Sequence, residues 1–331
     1  MKKSKSVKRR KKFSWRLFIF FIIFEVVFTC LSAPFLIFYG PFNNVKRTVV
    51  GAAVTTLSHQ YIAKIFLSDE KINEILSGDK VEKTDDDGSV LKFENKHDTS
   101  IERYNISSSK YKGYMLIIHD PTRVKVGVSK KLGTEGQLTS QIAKDNDAVA
   151  AINGGGFTDK AKNGNWTGTG ANPVGLVMTG GVIKYDDIKD ENAKDDVVAI
   201  TQSGGLIVGT HSLNELKSLG VTEAISFGPA LITKGKINVV GDGGQGTAPR
   251  TAIGQKTDGS IMMLVIDGRQ IKSLGATLKD IAEIMKQYGA YNAANLDGGS
   301  STTMYYDGEV INNPCDPLGE RSIPTAIYVK N

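Results

Sequence analysis

The most apolar stretch of the chain comes first. Residues 17–39 are almost continuously hydrophobic, interrupted by a single charge, Glu25. As a helix rising about 1.5 Å per residue, this run crosses the ~30 Å hydrocarbon core of a bilayer. Beyond it, Val54, Leu57, Tyr61, Ile62, Ile65, Phe66, Ile72, Ile75 and Leu76 recur at helical spacing over residues 49–78. The pattern restarts at Ser68 and stops at Gly78, predicting a helical stalk able to self-associate. Residues 79–100 are polar and aperiodic, as a solvated linker is. Their Asp85-Asp86-Asp87-Gly88 run lacks the spacing of an EF-hand loop. Residues 40–100 are therefore expected to separate the apolar helix from a domain at 101–331.

In that domain the period shortens from helical to strand-like. Strands are predicted at 114–119, 124–128, 148–152, 261–266 and 291–296, with helices near 138–144, after Ser212, and after Thr277. Ser212 with Glu215, and Thr277 with Asp280, have the spacing of N-terminal helix caps; Gly220 and Gly289 follow as stops. Residues 227–232 and 237–240 flank Thr233-Lys234-Gly235-Lys236, and 304–306 and 309–311 flank Asp307-Gly308, each as in a hairpin. The fold class is thus α+β, a mixed β-sheet domain with packed helices. Strand, helix and strand between 261 and 296 are expected to deliver Asp267-Gly268-Arg269 and Asp297-Gly298-Gly299-Ser300 to the carboxyl ends of neighbouring strands, an edge where ligands bind. A faint echo links Ile142–Asn153 to Ile284–Asn295: each leads in eleven residues from a helix to an Asn beside glycines.

Charge then sharpens the reading of the N-terminus. Nine basic residues and no acid fall in residues 1–16. By the positive-inside rule this flank stays cytoplasmic and the chain after Gly40 lies outside, a single-pass cell-membrane protein tethered through residues 17–39. A cleaved signal peptide competes, with Leu31-Ser32-Ala33 as a weak cleavage site, but its apolar region usually runs only about 7–15 residues. The chain holds 41 basic and 35 acidic residues, of which residues 1–39 take nine and one, so the remainder is slightly acidic. Its high isoelectric point belongs to the tail and gives no reason to expect nucleic acid as a partner. Cys315 is the sole cysteine after Cys30, which excludes a disulfide-stapled ectodomain.

Common catalytic signatures are missing. His59, His97, His119 and His211 are scattered without zinc spacing, and no nucleophile-elbow or P-loop sequence occurs. Gly241–Gly246 neither follows an apolar strand directly nor opens a helix, so it reads as a mobile loop rather than a nucleotide cradle. What remains is a set of acids, amides and arginines beside glycines: Asn153, Arg250, Asp267, Arg269, Asp297, Glu320 and Arg321. Glycines allow close backbone approach, arginine's planar fork suits phosphate, and paired carboxylates suit glycosidic cleavage.

Five ordered segments carry a resemblance: Asn153-Gly-Gly-Gly-Phe157, Arg250-Thr-Ala-Ile-Gly254, Asp267-Gly-Arg269, Asn295-Leu-Asp-Gly-Gly-Ser-Ser-Thr302 and Glu320-Arg-Ser-Ile-Pro324. Together they resemble the phosphodiester glycosidase family over about residues 101–331. The chain departs from the family's usual wording at Gly156, which precedes Phe157, and at Ser300, where a further glycine is common. The resemblance implies hydrolysis of a sugar-1-phosphodiester at the glycosidic C–O bond, without a cofactor. It implies that Arg250 and Arg321 hold phosphate, and that Asp297 and Glu320 act as base or nucleophile and as acid. Asn153 and Asp267 would orient sugar hydroxyls, with Gly154, Gly155, Arg269 and Ser300 lining the site and the backbone at Gly298 and Gly299 completing the anion cradle. Joined to the tether, this points to a cell-surface glycan substrate such as an exopolysaccharide or teichoic acid. Two other readings remain open: a phosphodiesterase in which Asp267, Asp297 and Glu320 gather a divalent cation, and a module that binds phosphate-linked glycans without cleaving them.

Overall fold

The computed structural model describes residues 14–54, 60–83, 89–159 and 168–331. The basic tail up to residue 13, Leu57, His59 and the Asp85–Gly88 run lie outside the described residues.

The apolar run forms helix α1 (Trp15–Tyr39), capped by the Ser14 hydroxyl and long and apolar enough to cross a membrane. Its large side chains are exposed along nearly its whole length, the condition a lipid-facing helix requires. Three short helices follow: α2 (Asn43–Val54), α3 (Tyr61–Lys64) and α4 (Asp69–Leu76), the last capped by Ser68. They close a small apolar cluster in which Phe38 from α1 meets Val50, Ala63, Leu67 and Ile72, with the Phe38 and Phe66 rings stacked at 4.7 Å. This segment folds onto the domain instead of standing clear of it. Strand β1 (Lys80–Val81) pairs with β15 (Val239–Val240), and Arg47 and the backbone N–H of Asp242 both reach the Asp79 carboxylate. Residues 89–100 have no regular structure yet are not free, since Phe93 lies over Gly259 and Asn95 and His97 bond Asp120.

Three sheets surround one core. The largest has the order β14 (Lys236–Ile237), β13 (Ala230–Thr233), β18 (Ala290–Leu296), β16 (Arg250–Lys256), β17 (Ile261–Ile266), β3 (Lys112–Ile118) and β2 (Ile101–Ser107). The second runs β20 (Glu309–Val310), β19 (Met304–Tyr306), β5 (Ala148–Asn153), β21 (Thr325–Lys330), β4 (Val124–Val128). The third runs β11 (Leu206–Ser212), β10 (Lys194–Thr201), β12 (Val221–Ser226), β8 (Leu176–Thr179), β9 (Val182–Asp186). A small pair, β6 (Phe157–Thr158) with β7 (Asn172–Pro173), lies beside the second sheet's Asn153 end.

Inner faces of all three sheets meet in the central cluster, which takes Ile261, Met263 and Val265 from β17. Alternate residues Met262, Leu264 and Ile266 face the other way, onto α7 (Leu278–Gln287). Because both faces of β17 are covered, its sequence is wholly apolar rather than alternating. Helix α5 (Thr139–Asp145) covers the second sheet and α6 (Leu213–Ser218) the third. The α+β class therefore holds, with each sheet sandwiched between the shared core and its own helix.

Among the described residues every strand pairing is antiparallel. This corrects the expectation that the strands ending at Asp267 and Asp297 are neighbours. They run in the same direction, but β16 lies between them and pairs with both. The carboxyl ends of β17 and β18 still share one edge, and the amino end of β16, with Arg250, is inserted there.

Candidate functional site

Two strand ends from different sheets define the site. On β5, Asn153 is fully buried; its amide donates to the Asp297 carbonyl at 2.6 Å and accepts from the Thr251 hydroxyl at 2.7 Å. The Asp297 N–H returns a bond to the Gly154 carbonyl at 3.2 Å. The echo seen in the sequence is thus two helix–strand units, α5–β5 and α7–β18, joined by hydrogen bonds where the chain leaves the two strands. Asn153, expected to orient sugar hydroxyls, has both its amide nitrogen and its amide oxygen engaged by protein groups. Gly154 and Gly155 are required by crowding, since a β-carbon would stand 2.7 Å from the Thr325 carbonyl oxygen or 2.8 Å from that of Ser226.

Asp297 is the chemically distinct group. Burial pushes its carboxyl up to about 6, against the bonds it accepts from the Ser301 hydroxyl and the Gly298 N–H and the nearby Arg321 charge; Asp159 adds to the rise. Arg321 pairs with the buried Asp159, donates to the Ser300 hydroxyl at 3.2 Å, and lies over the Phe157 ring at 5.2 Å. Asp159 also accepts the Gly170 N–H at 2.9 Å, so it is fixed from the backbone side. Arg269 is exposed and lies over Gly299, where a β-carbon would be 3.4 Å from its guanidinium. Among the described residues, no hydrogen bond or ion pair of the Arg269 side chain is found. Its φ of 57° is a left-handed conformation uncommon for a non-glycine residue.

Asp267 lies on the same sheet edge, buried, with one carboxylate oxygen accepting from the Asn312 side chain and the Asn313 N–H, both at 3.0 Å. Burial raises its pKa above the usual aspartate range.

Three groups expected in the site are engaged elsewhere in the protein. Glu320 is no partner of Asp297: its two oxygens accept from the hydroxyl and the N–H of Ser140, in the first turn of α5. The residue before that helix, Leu138, has no side-chain oxygen, so Glu320 supplies the cap from 180 residues away. Arg250 does not face outward to phosphate. Its guanidinium is buried and donates to the carbonyls of Gln245, Gly246 and Ala276 and to the Gln245 side chain. Burial lowers its pKa to about 10, which leaves it charged at neutral pH. The backbone N–H groups expected to hold an anion are occupied, that of Gly298 by Asp297 and that of Gly299 by the Pro249 carbonyl. Nor do Asp267, Asp297 and Glu320 gather as metal donors; no such cluster of three occurs among the described residues.

The chain belongs to the phosphodiester glycosidase family, whose profile matches residues 146–330. The uncharacterized SPbeta prophage-derived protein YomE of Bacillus subtilis is 28% identical over 221 residues, 63% of this chain and 31% of YomE. The mouse N-acetylglucosamine-1-phosphodiester alpha-N-acetylglucosaminidase is 37% identical over 67 residues, 20% of this chain and 13% of the enzyme. The chain thus spans under a third of the length of each of these relatives. The catalytic domain of the zebrafish enzyme of that name, solved auto-inhibited by its pro-peptide, superposes with a TM-score of 0.58 at 20% identity, covering 73% of this chain and 87% of that one. An exported protein of Burkholderia pseudomallei shares the fold with a TM-score of 0.52 at 16% identity, covering 67% of this chain and 74% of that one. Family membership supports a glycosidase-like function.

Proposed function

We propose that the domain hydrolyses the glycosidic C–O bond of a sugar-1-phosphodiester on a cell-surface glycan. Water adds to the anomeric carbon, and the other product is a phosphomonoester. The observation that carries this reading is Asp297, a carboxyl with a pKa of about 6 near Arg321, two residues before Gly299, over which the exposed Arg269 lies. At neutral pH it is mainly ionised, and so competent as a general base toward water or as a nucleophile at the anomeric carbon. A phosphodiester leaving group departs as an anion and needs positive charge more than a proton. Arg321, preset by Asp159, and the exposed Arg269 supply that charge. Asp267, rather than Glu320, is the second carboxyl at this edge. Helix α1 is read as a membrane span with residues 1–16 inside and the domain outside.

The test is product analysis on a panel of alkyl α-glycosyl phosphodiesters. Equal amounts of free sugar and alkyl phosphate are expected, with turnover falling at least about 100-fold in Asp297→Asn. Phosphate retained on the sugar would identify a phosphodiesterase instead, and absence of either product with retained binding would identify a glycan-binding module.

A further inference from the structure

The loops that carry the two site arginines share an unusual feature. Arg269 opens a tight turn in which Gln270 and Ser273 bond each other's backbone, and its tip places Ile271 and Lys272 in solvent. Ile271 is fully exposed and Leu274 is 60% exposed. Arg321 follows a second tight turn, closed by the Asp316–Gly319 bridge, in which Leu318 is 94% exposed. The Gln270 and Asn313 side-chain amides, at 2.9 Å, join the two loops, and Gln270 also donates to the Asn313 carbonyl. Tips of tight turns are ordinarily polar. Here two turns beside the site, each closed by a backbone bridge, hold aliphatic side chains and a lysine away from the protein.

A chain of contacts leads from these turns to the end of α1. Ala276, just after the first turn, pairs with Ala248 and accepts from Arg250, which in turn holds the carbonyl of Gly246. Gly246 lies against Thr48 and Ala52 of α2, and Gly51 against Gly244 and Gly246. Neighbouring Val50 shares one apolar cluster with Phe38, at the end of α1. The same junction exposes Phe42 and two amphipathic aromatics, Tyr39 and Tyr61, of the kind suited to the lipid–water interface.

We propose that the domain lies on the outer leaflet, with Ile271, Leu274 and Leu318 in the lipid interface, and that its substrate is a sugar-1-phosphodiester whose other ester is a membrane lipid. Lys272 and Arg269 then meet the phosphate layer while the lipid chain stays in the bilayer and the sugar enters at Asp297. This rests on the glycosidase reading and on the membrane span, and replaces the projecting stalk with a flat attachment.

The experiment uses the full chain in phosphatidylcholine–phosphatidylglycerol vesicles. Two substrates carry the same sugar-1-phosphate: a water-soluble ethyl diester, and a hexadecyl diester dissolved in the vesicles. The double variant Ile271→Ser with Leu318→Ser should lose tenfold or more on the hexadecyl diester and stay within twofold of wild type on the ethyl diester. An equal effect on both, or none on either, overturns the lipid substrate. Failure of the wild type on both diesters would count against the glycosidase reading, and a second measurement tests the attachment regardless. In a background with both native tryptophans replaced, Trp15→Phe and Trp166→Phe, Ile271→Trp should be quenched by lipids brominated along the acyl chain. Fluorescence insensitive to those lipids overturns the attachment.

Discussion

At the residue scale, the site turns on how much each charged group is already engaged. Asp297 and Glu320 are both acids beside glycines or arginines in the sequence, and only their partners separate them. A carboxylate that caps a helix and one that does chemistry read alike until a partner 180 residues away, Ser140, is known. Asp159 illustrates the reverse case, since nothing near it in the sequence announces that it pairs with Arg321. Asp297 carries two linked predictions. Its native pKa of about 6 exceeds the unfolded value of 3.8, so the folded state binds this proton more tightly. Stability contributed by that proton is present at low pH, falls as pH rises from about 4 to about 6, and is level above. Asp297→Asn should therefore abolish turnover yet raise stability at pH 7 by up to about 3 kcal/mol, a gain that vanishes below about pH 4, measured by urea unfolding at both pH values. As the base or nucleophile, Asp297 should also give kcat/KM an acidic limb near pH 6. Asp159 raises that pKa and Arg321 lowers it, so the limb should move to lower pH in Asp159→Asn and to higher pH in Arg321→Gln. A limb that stays in place in both variants would show that Asp297 is not the titrating group.

At the element scale, legibility followed locality. The caps at Ser68, Ser212 and Thr277, the apolar strand β17 and the hairpin at Asp307-Gly308 could all be read because their determinants lie within a few residues. The third sheet and strands β16 and β21 were not anticipated. β21 owes its place to pairing with β4 and β5, about 200 and 175 residues back in the chain, which no local period encodes. β16 mixes Arg250, Thr251 and Gln255 with apolar residues, and each polar group has a distant partner: Ala276, Asn153 and Leu206. That missing strand is the reason the two acidic loops were expected side by side. The same reasoning gives α5 a testable dependence on Glu320. Glu320→Ala removes the acceptor of the Ser140 N–H and should cost about 1 kcal/mol, a Tm drop of roughly 2–4 °C, with kcat within about threefold of wild type. A loss of 100-fold in kcat at unchanged Tm would return Glu320 to the chemistry.

At the scale of the whole molecule, the segment between the apolar helix and the domain is a brace for the site. Its helix α2 presses on Gly244 and Gly246, and the Gly246 carbonyl is one of the acceptors that hold the buried Arg250 at the amino end of β16. Such a guanidinium, hydrogen-bonded mainly to carbonyls, depends on those carbonyls staying in place, because a buried charge that loses its partners is costly. The contact leaves no room for a side chain: a β-carbon on Gly51 would be 3.0 Å from both the Gly244 oxygen and the Gly246 nitrogen. Gly51→Leu should therefore displace the 241–246 loop, lower stability by about 1–3 kcal/mol, and speed amide exchange across that loop. Because Arg250 shares its sheet edge with Asp267 and Asp297, kcat should fall several-fold in the same variant although Gly51 touches no site residue. Fast exchange at 241–246 with full activity would mean that the loop and Arg250 move independently. Unchanged exchange would mean that α2 rests on the domain without bracing it, and that the path from α1 to the site ends at Gly51.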